Sequence, residues 1–290
     1  MNSTLILVDG MAVLYRAYYA IQSLSTKSGR PTNAVFGFVR MMSQLRSVLK
    51  PTHWVVAFDG GVPESRLELL EQYKAQRPAT PQALKEQIPV AEEYLDRSGV
   101  TWIRQNGQEA DDILASIATK MTVNADRVLV ATGDKDLYQL VTDKIRVVPV
   151  SGNLNSMGPD EVKGKTGVWP SQIVDWLALI GDNSDNIPGV PGVGPKTASR
   201  LLQEYESVMD MLSRIDTLPK GKIADSIRSS HDIILRNMKL VKLKRDLEFS
   251  LSWDLLKVRD GDRGRLIELF RELEFDSMVA DLMQPELFVN

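Results

Sequence analysis

Residues 127–140 read RVLVATGDKDLYQL, and this stretch decides the fold class. Arg127–Thr132 is short, apolar and β-branched, which predicts a strand buried on both faces. Asp134 and Asp136 follow it at once, at the strand's carboxyl end. The same arrangement recurs upstream, where the apolar run Leu5–Asp9 closes on Asp9 and His53–Asp59 closes on Asp59. Val100–Ile103 and Ile145–Val150 predict two further strands. Between them, Ala12–Ile21, Ala34–Leu49 and Glu109–Met121 have helical character. Phe36, Val39, Met42 and Leu45 mark one face of the second, and Pro51 stops it. Strands separated by helices predict an α/β fold, a mostly parallel twisted sheet flanked by helices.

Two regions depart from that rhythm. The segment GGVPESRLELLEQYKAQRPATP, from Gly60, is highly charged and broken by proline. It is too long for an ordinary connection, so residues of about 60–90 are expected to form a functional insertion beside the second strand. From about Ser156 the chain turns helical, with helices predicted over Pro170–Ile180, Ala198–Tyr205, Lys220–Ser229, Ile233–Leu243 and Arg263–Phe275. Composition shifts predict three parts: a sheet domain over 1–155, a helical region over 156–250 and a closing segment over 251–290.

The acids carry the chemistry. In an open parallel sheet, ligands bind beyond the carboxyl ends of the strands. Asp9, Asp59, Glu109, Asp134 and Asp136 are all expected at that edge. Glu109 and Asp112 are i, i+3 neighbours, with Asp111 aimed at a second ligand position, and Asp182 and Asp185 repeat the spacing after a later helix. No lysine or arginine cluster lies near enough in sequence to neutralise them all. Two unit charges about 4 Å apart repel by roughly 4 kcal/mol at an effective dielectric near 20. The set therefore predicts Mg²⁺ or Mn²⁺, two ions or more, and metal-assisted phosphodiester chemistry. Taken singly, each acid reads as readily as a helix cap, and Asp112 is the strongest candidate for that role.

The run Gly189-Val190-Pro191-Gly192-Val193-Gly194-Pro195-Lys196-Thr197 nearly imitates a phosphate-binding P-loop. Pro195 stands where the lysine is required and the run follows a helix, so ATP binding is rejected. A helix–hairpin–helix turn fits better. Gly192 and Gly194 admit a DNA phosphate to the next helix's N–H groups, with Lys196 and Arg200 beside it.

The chain has 290 residues, 35 basic and 38 acidic, for a net charge of −3. It is not globally basic, so any nucleic-acid surface must be local. With no cysteine, disulfides and thiolate chemistry are excluded. The apolar runs are strand-length and none spans a membrane, and the lack of cysteine makes a cytoplasmic location the expectation. Lys220, Lys222, Arg228, Arg236, Lys239, Lys242, Lys244 and Arg245 make the helical region locally basic. His53 and His231 lack any paired spacing for zinc. The tryptophans and Tyr138 read as packing residues.

Taken together, ILVDG, VAFD, YKAQRP, EADD, TGDKDLYQL and GDNSDNIPGVPGVGPKTA resemble the 5′-nuclease family found in bacterial DNA polymerase I and its stand-alone and phage relatives. They occur in the family's order over nearly the whole chain. The resemblance implies a PIN-like core, a helical arch at 60–90 and a helix-three-turn-helix DNA-binding region. It implies 5′→3′ exonuclease and flap endonuclease action on DNA with 5′ flaps, nicks or free 5′ ends, and on RNA–DNA hybrids. Cleavage would leave a 5′-phosphate and a 3′-hydroxyl. By motif, one ion falls to Asp9, Asp59, Glu109, Asp111 and Asp134, with Asp112 close by, and the second to Asp136, Asp182 and Asp185, with Asp134 between. Arg66, Tyr73, Lys74 and Arg77 carry over as arch residues and Arg16 as a phosphate contact. Lys74 and Arg77 would steady the scissile phosphate while Tyr73 stacks on a base. Val190 and Val193 carry over as carbonyl donors to K⁺. A monomer is expected, either free-standing or as part of a longer polymerase. The rival readings are a PIN-type ribonuclease, which needs neither arch nor hairpin, and a non-catalytic junction binder, which would have lost acids.

Overall fold

Along the run Leu5–Val8, alternate side chains enter different cores. Leu5 and Leu7 join one buried cluster, and Ile6 and Val8 join the other. A strand buried on both faces in this way must lie in the middle of a covered sheet. In a computed structural model that describes residues 3–284, the sheet has five parallel strands in the order β3-β2-β1-β4-β5. The first half of the chain runs β1 (Thr4–Asp9), α1 (Gly10–Ala20), α2 (Asn33–Leu49), β2 (His53–Phe58), α3 (Glu64–Leu69), α4 (Gln82–Lys85), α5 (Ile88–Arg97), β3 (Trp102–Arg104), α6 (Ala110–Met121), β4 (Arg127–Ala131) and β5 (Ile145–Val148). Strand order reverses beside β1, with β2 on one side and β4 on the other. A crevice at such a point binds ligands.

The rest is helical: α7 (Pro159–Thr166), α8 (Ile173–Ile180), a two-stranded antiparallel turn of β6 (Gly181–Asp182) and β7 (Ile187–Pro188), α9 (Pro195–Glu204), α10 (Val208–Ser213), α11 (Lys222–Ser229), α12 (His231–Val241), α13 (Arg263–Glu272) and α14 (Asp276–Met283). Helices α8 to α12 extend the core that covers Leu5 and Leu7, together with α6. The closing helices α13 and α14 cross to the other face, where Leu269, Phe270 and Phe275 pack with α1, α2 and α5. No helix among the described residues is long and apolar enough to cross a membrane.

The structure moves several expected boundaries. The strand expected at Val100–Ile103 begins instead at Trp102, because a helix runs to Arg97 and the chain must turn before the strand can start. Helix α5 was not foreseen, and Gly99, at φ +69°, turns the backbone so that the Val100 N–H caps the Leu95 carbonyl. The helix expected over Arg263–Phe275 breaks at Glu274, whose φ of +56° starts the turn into α14. The first turn of Pro170–Ile180 is a 3₁₀ turn, and α8 proper begins at Ile173. Segment 60–90 holds the short α3 and α4 and the start of α5, and the turns that join α3 to α4 fold down onto the acidic face.

Candidate active site

Each strand end delivers its acid for a local reason. Asp9 ends β1 and caps α1, its Oδ1 accepting the Ala12 N–H at 2.9 Å, while Oδ2 accepts from the Thr132 hydroxyl at 3.2 Å. Asp59 follows β2 and accepts the Ala110 N–H at 2.9 Å, which fixes it against the start of α6. Glu109 is the N-cap residue of that helix, with Asp111 and Asp112 in its first turn, where the helix dipole favours negative charge. Beyond β4, Asp134 receives the Asp136 N–H at 2.9 Å. Gly181 lets the chain reverse after α8 so that Asp182 and Asp185 return to the same edge. Its φ is +73°, and a Cβ there would meet the Gly189 nitrogen at 2.3 Å.

Asp9, Asp59, Asp111, Asp134 and Asp182 line one open crevice of about 400 Å³ together with Lys74, Arg77 and Lys135. No lysine or arginine cluster lies near enough in sequence to neutralise all the acids, but the fold brings single cations to some of them. Lys74 reaches Glu109 and lies 3.6 Å from Asp185, Arg77 pairs with Asp185, and Lys135 lies 2.9 Å from Asp182. Lys135, inside the quoted TGDKD motif, is the one cation of this set that sequence reasoning passed over. Its neighbours Asp134 and Asp136 drew attention as ligands, and nothing in the spacing announced a pair with Asp182.

The segment carrying Lys74 is clamped rather than draped. The Lys74 N–H donates to the Asp185 carbonyl at 3.0 Å, and its φ of +57° is one a non-glycine residue adopts only when its surroundings impose it. Tyr73 is 4% exposed and donates its hydroxyl to Asp185 at 3.1 Å, so in this structure its ring is packed away and offers no open face to a base. Arg66, expected at the substrate, is equally buried and does not line the crevice. Its guanidinium binds Glu109, Asp112 at 2.9 Å and the Leu240 carbonyl at 3.1 Å. Arg16 is exposed on α1.

Protonation equilibria sort the acids. Burial above all, with the charges of Asp59, Asp134 and Asp111, pushes Asp9 up to about 7 against the lowering effect of the Ala12 hydrogen bond. Asp111 is likewise raised to about 7 by burial and then by Asp112. Burial also raises Asp134 and, more strongly, Asp136. Asp182 goes the other way: burial raises it, but Ser184 and Lys135 outweigh that and hold it below the ordinary value.

The donor set fits divalent cations. Every group is a hard oxygen, burial and neighbouring charge raise Asp9, Asp111, Asp134 and Asp136, and Asp136 Oδ1 is buried without a hydrogen-bond partner. Glu109, Asp111 and Asp112 each offer an oxygen within 4.8 Å of the others. Asp112 is fully buried, and its Oδ1 already accepts from Arg66 and from the Lys244 N–H.

At the hairpin, Gly192 is left-handed at φ +79° and Gly194 caps α9, with Pro195 at its first position. Lys196 and Arg200 are exposed one turn apart on that helix. Val190 and Val193 are buried, and the Val193 N–H donates to the Val190 carbonyl at 3.0 Å.

Residues 4–167 match the 5′-3′ exonuclease N-terminal resolvase-like domain, and residues 168–264 match the 5′-3′ exonuclease C-terminal SAM fold. A 5′-3′ exonuclease of Aquifex aeolicus is 38% identical over 96% of this chain and 95% of its own length. DNA polymerase I of Bacillus caldotenax is 37% identical over 98% of this chain but only 33% of its own, so the chain spans about a third of that relative. Among solved structures, the T5 5′-exonuclease with zinc bound superposes at a TM-score of 0.70 with 22% identity, covering 97% of this chain and 98% of that one. The catalytic core of Rad2 with DNA gives 0.61 at 16% identity, over 97% and 93% of the two chains. At such identities the likeness is one of fold.

Proposed function

The chain belongs to the 5′-3′ exonuclease family, and on that premise we propose that it is a divalent-metal-dependent 5′→3′ exonuclease and 5′-flap endonuclease. The observation that carries this reading is the crevice itself. Among the described residues, acids without protein counter-ions stand at three strand ends, next to Lys74, Arg77 and Lys135, cations that an anionic backbone would draw upon.

Asp9, Asp59, Asp111, Asp134 and Asp136 would hold the ions, with Glu109, Asp182 and Asp185 completing the set and Asp112 behind them. When bound, Mg²⁺ or Mn²⁺ supplies Lewis acidity that activates water and stabilises the leaving oxygen. The protein's own groups do the rest. Lys74 and Arg77, at the rim of the crevice, orient the scissile phosphate and offset its growing charge. The ion pairs of Lys74 with Glu109 and Asp185 hold its ammonium at the crevice. The Gly192–Gly194 turn and the start of α9 hold a duplex phosphate through N–H groups, with Lys196 and Arg200 adding charge and no base reading. Arg16 serves the same strand, and Tyr73 meets an unstacked base once the segment that buries it has moved. K⁺ at the Val190 and Val193 carbonyls would support the same grip.

The substrates proposed are DNA with flaps, nicks or free 5′ ends, and RNA in hybrids, cut to a 5′-phosphate and a 3′-hydroxyl. A sheet part over 1–155, a gripping part over 156–250 and a closing part over 251–290 would divide the work, in a monomer of the cytoplasm. Similarity to DNA polymerase I supports a polymerase partner, whether covalent or not. The test uses a 5′-labelled flap, a single strand and an RNA hairpin, each with Mg²⁺ or EDTA. Metal-dependent cutting of the flap supports the proposal. Preference for the RNA hairpin, or no cutting of any substrate, refutes it.

A further inference from the structure

Where α12 ends, its backbone meets the acidic face through buried hydrogen bonds that the chemistry proposed above does not use. Arg66 Nε donates to the Leu240 carbonyl at 3.1 Å while its terminal nitrogens hold Glu109 and Asp112. Asp112 Oδ1 also accepts the Lys244 N–H at 2.9 Å. Gln139, three residues beyond Asp136, donates to the Val241 carbonyl and accepts the Leu243 N–H, both at 3.0 Å. A helix end leaves carbonyls that need partners. Here the partners are the very side chains that orient Glu109 and flank Asp136.

The other end of this connection lies at the hairpin. Asn237, fully buried on α12, donates to the Ala178 carbonyl of α8 at 3.1 Å and to the Pro188 carbonyl at 2.8 Å, just before the glycine-rich turn. A displacement of the hairpin and α12 therefore strains bonds that end on Arg66. Buried polar networks do not yield gradually, because each lost partner leaves a desolvated group unpaired.

We propose that Arg66 is a positioning residue, and not a substrate contact, through which duplex binding at the hairpin and metal binding at Glu109 are linked. This rests on reading the crevice as a metal-dependent nuclease site. In this proposal Arg66 contacts neither the ion nor the duplex. Its effect is on the coupling between them, which by thermodynamic linkage is the same in both directions.

The test measures the dissociation constant of a labelled 5′-flap duplex in EDTA and in Ca²⁺, with the flap checked intact on a gel. The ratio of the two constants is the coupling. Arg66→Lys keeps the charge but loses the fork, and Gln139→Met changes no charge at all. Both variants are expected to lower the ratio by at least about three-fold while the EDTA constant stays within about two-fold of the parent. A smaller fall in the ratio, or an equal loss of affinity in EDTA, overturns the proposal. If Arg66→Lys does not fold, Gln139→Met decides alone. A parent protein that binds no Mn²⁺ and cuts no flap defeats the nuclease reading instead, which keeps the two failures apart.

Discussion

Glu109, Asp112, Asp182 and Asp185 each carry a cationic partner from the protein itself, whereas Asp9, Asp59, Asp134 and Asp136 carry none among the described residues. The two groups share one edge of the sheet and differ in what balances them. On the paired side, Arg66, Lys74, Arg77 and Lys135 make the carboxylates tolerable as they stand. On the unpaired side, burial and then neighbouring charge raise Asp9 to about 7, and Asp134 and Asp136 are raised as well. A group kept at such a cost belongs to a function that supplies the missing positive charge.

The comparison is broken most severely by removing an acid from the unpaired side. Asp134→Ala should lower flap cleavage on the order of 10³-fold, with binding of the flap little changed. Full activity in single-turnover assays would remove Asp134 from the metal set. A change on the paired side should cost less. Lys74→Ala should slow the single-turnover rate by about 10- to 100-fold with a two- to three-fold loss of affinity at about that scale. An unchanged rate would make Lys74 only a counter-ion for Glu109.

The pH dependence follows from the same contrast. Asp9 and Asp111 have folded values raised above their unfolded ones, so the folded state binds more protons between about pH 4 and 7. Their contribution to stability is full below the unfolded value and lost as pH rises through about 7. In EDTA the melting temperature should therefore fall by several degrees, of the order of 5 °C, between pH 5 and pH 8. Saturating Mn²⁺ should reverse that slope. A flat profile in EDTA would mean that the two acids are already neutralised by the protein. The smallest effect is expected at the hairpin, where Lys196→Ala should weaken duplex binding a few-fold and reduce the salt slope by about one. An unchanged slope would place the phosphate elsewhere.

The sheet and the acid positions were legible because each acid directly follows an apolar run, and a strand end is where such a residue must emerge. Asp9, Asp59 and Asp134 needed no tertiary information. The partners of the acids were not legible in the same way. Arg66 reads as one more charge in a charged segment, and only the fold brings it under Glu109 and next to the Leu240 carbonyl. Tyr73 reads as a base-stacking ring by motif, but its burial depends on how 60–90 folds back, which local spacing does not encode. Helix α5 was hidden because the charged insertion reads on to about residue 90, although Pro89 is well tolerated in a helix's first turn. The end of α13 was hidden because nothing in Glu274 announces a left-handed residue.

The most direct test is a crystal of the protein soaked in Mn²⁺, with the ions located by their anomalous signal. The account predicts at least one peak among Asp9, Asp59, Asp111 and Asp134, and a second toward Asp136 and Asp182. Strong peaks elsewhere with none in that crevice would contradict it.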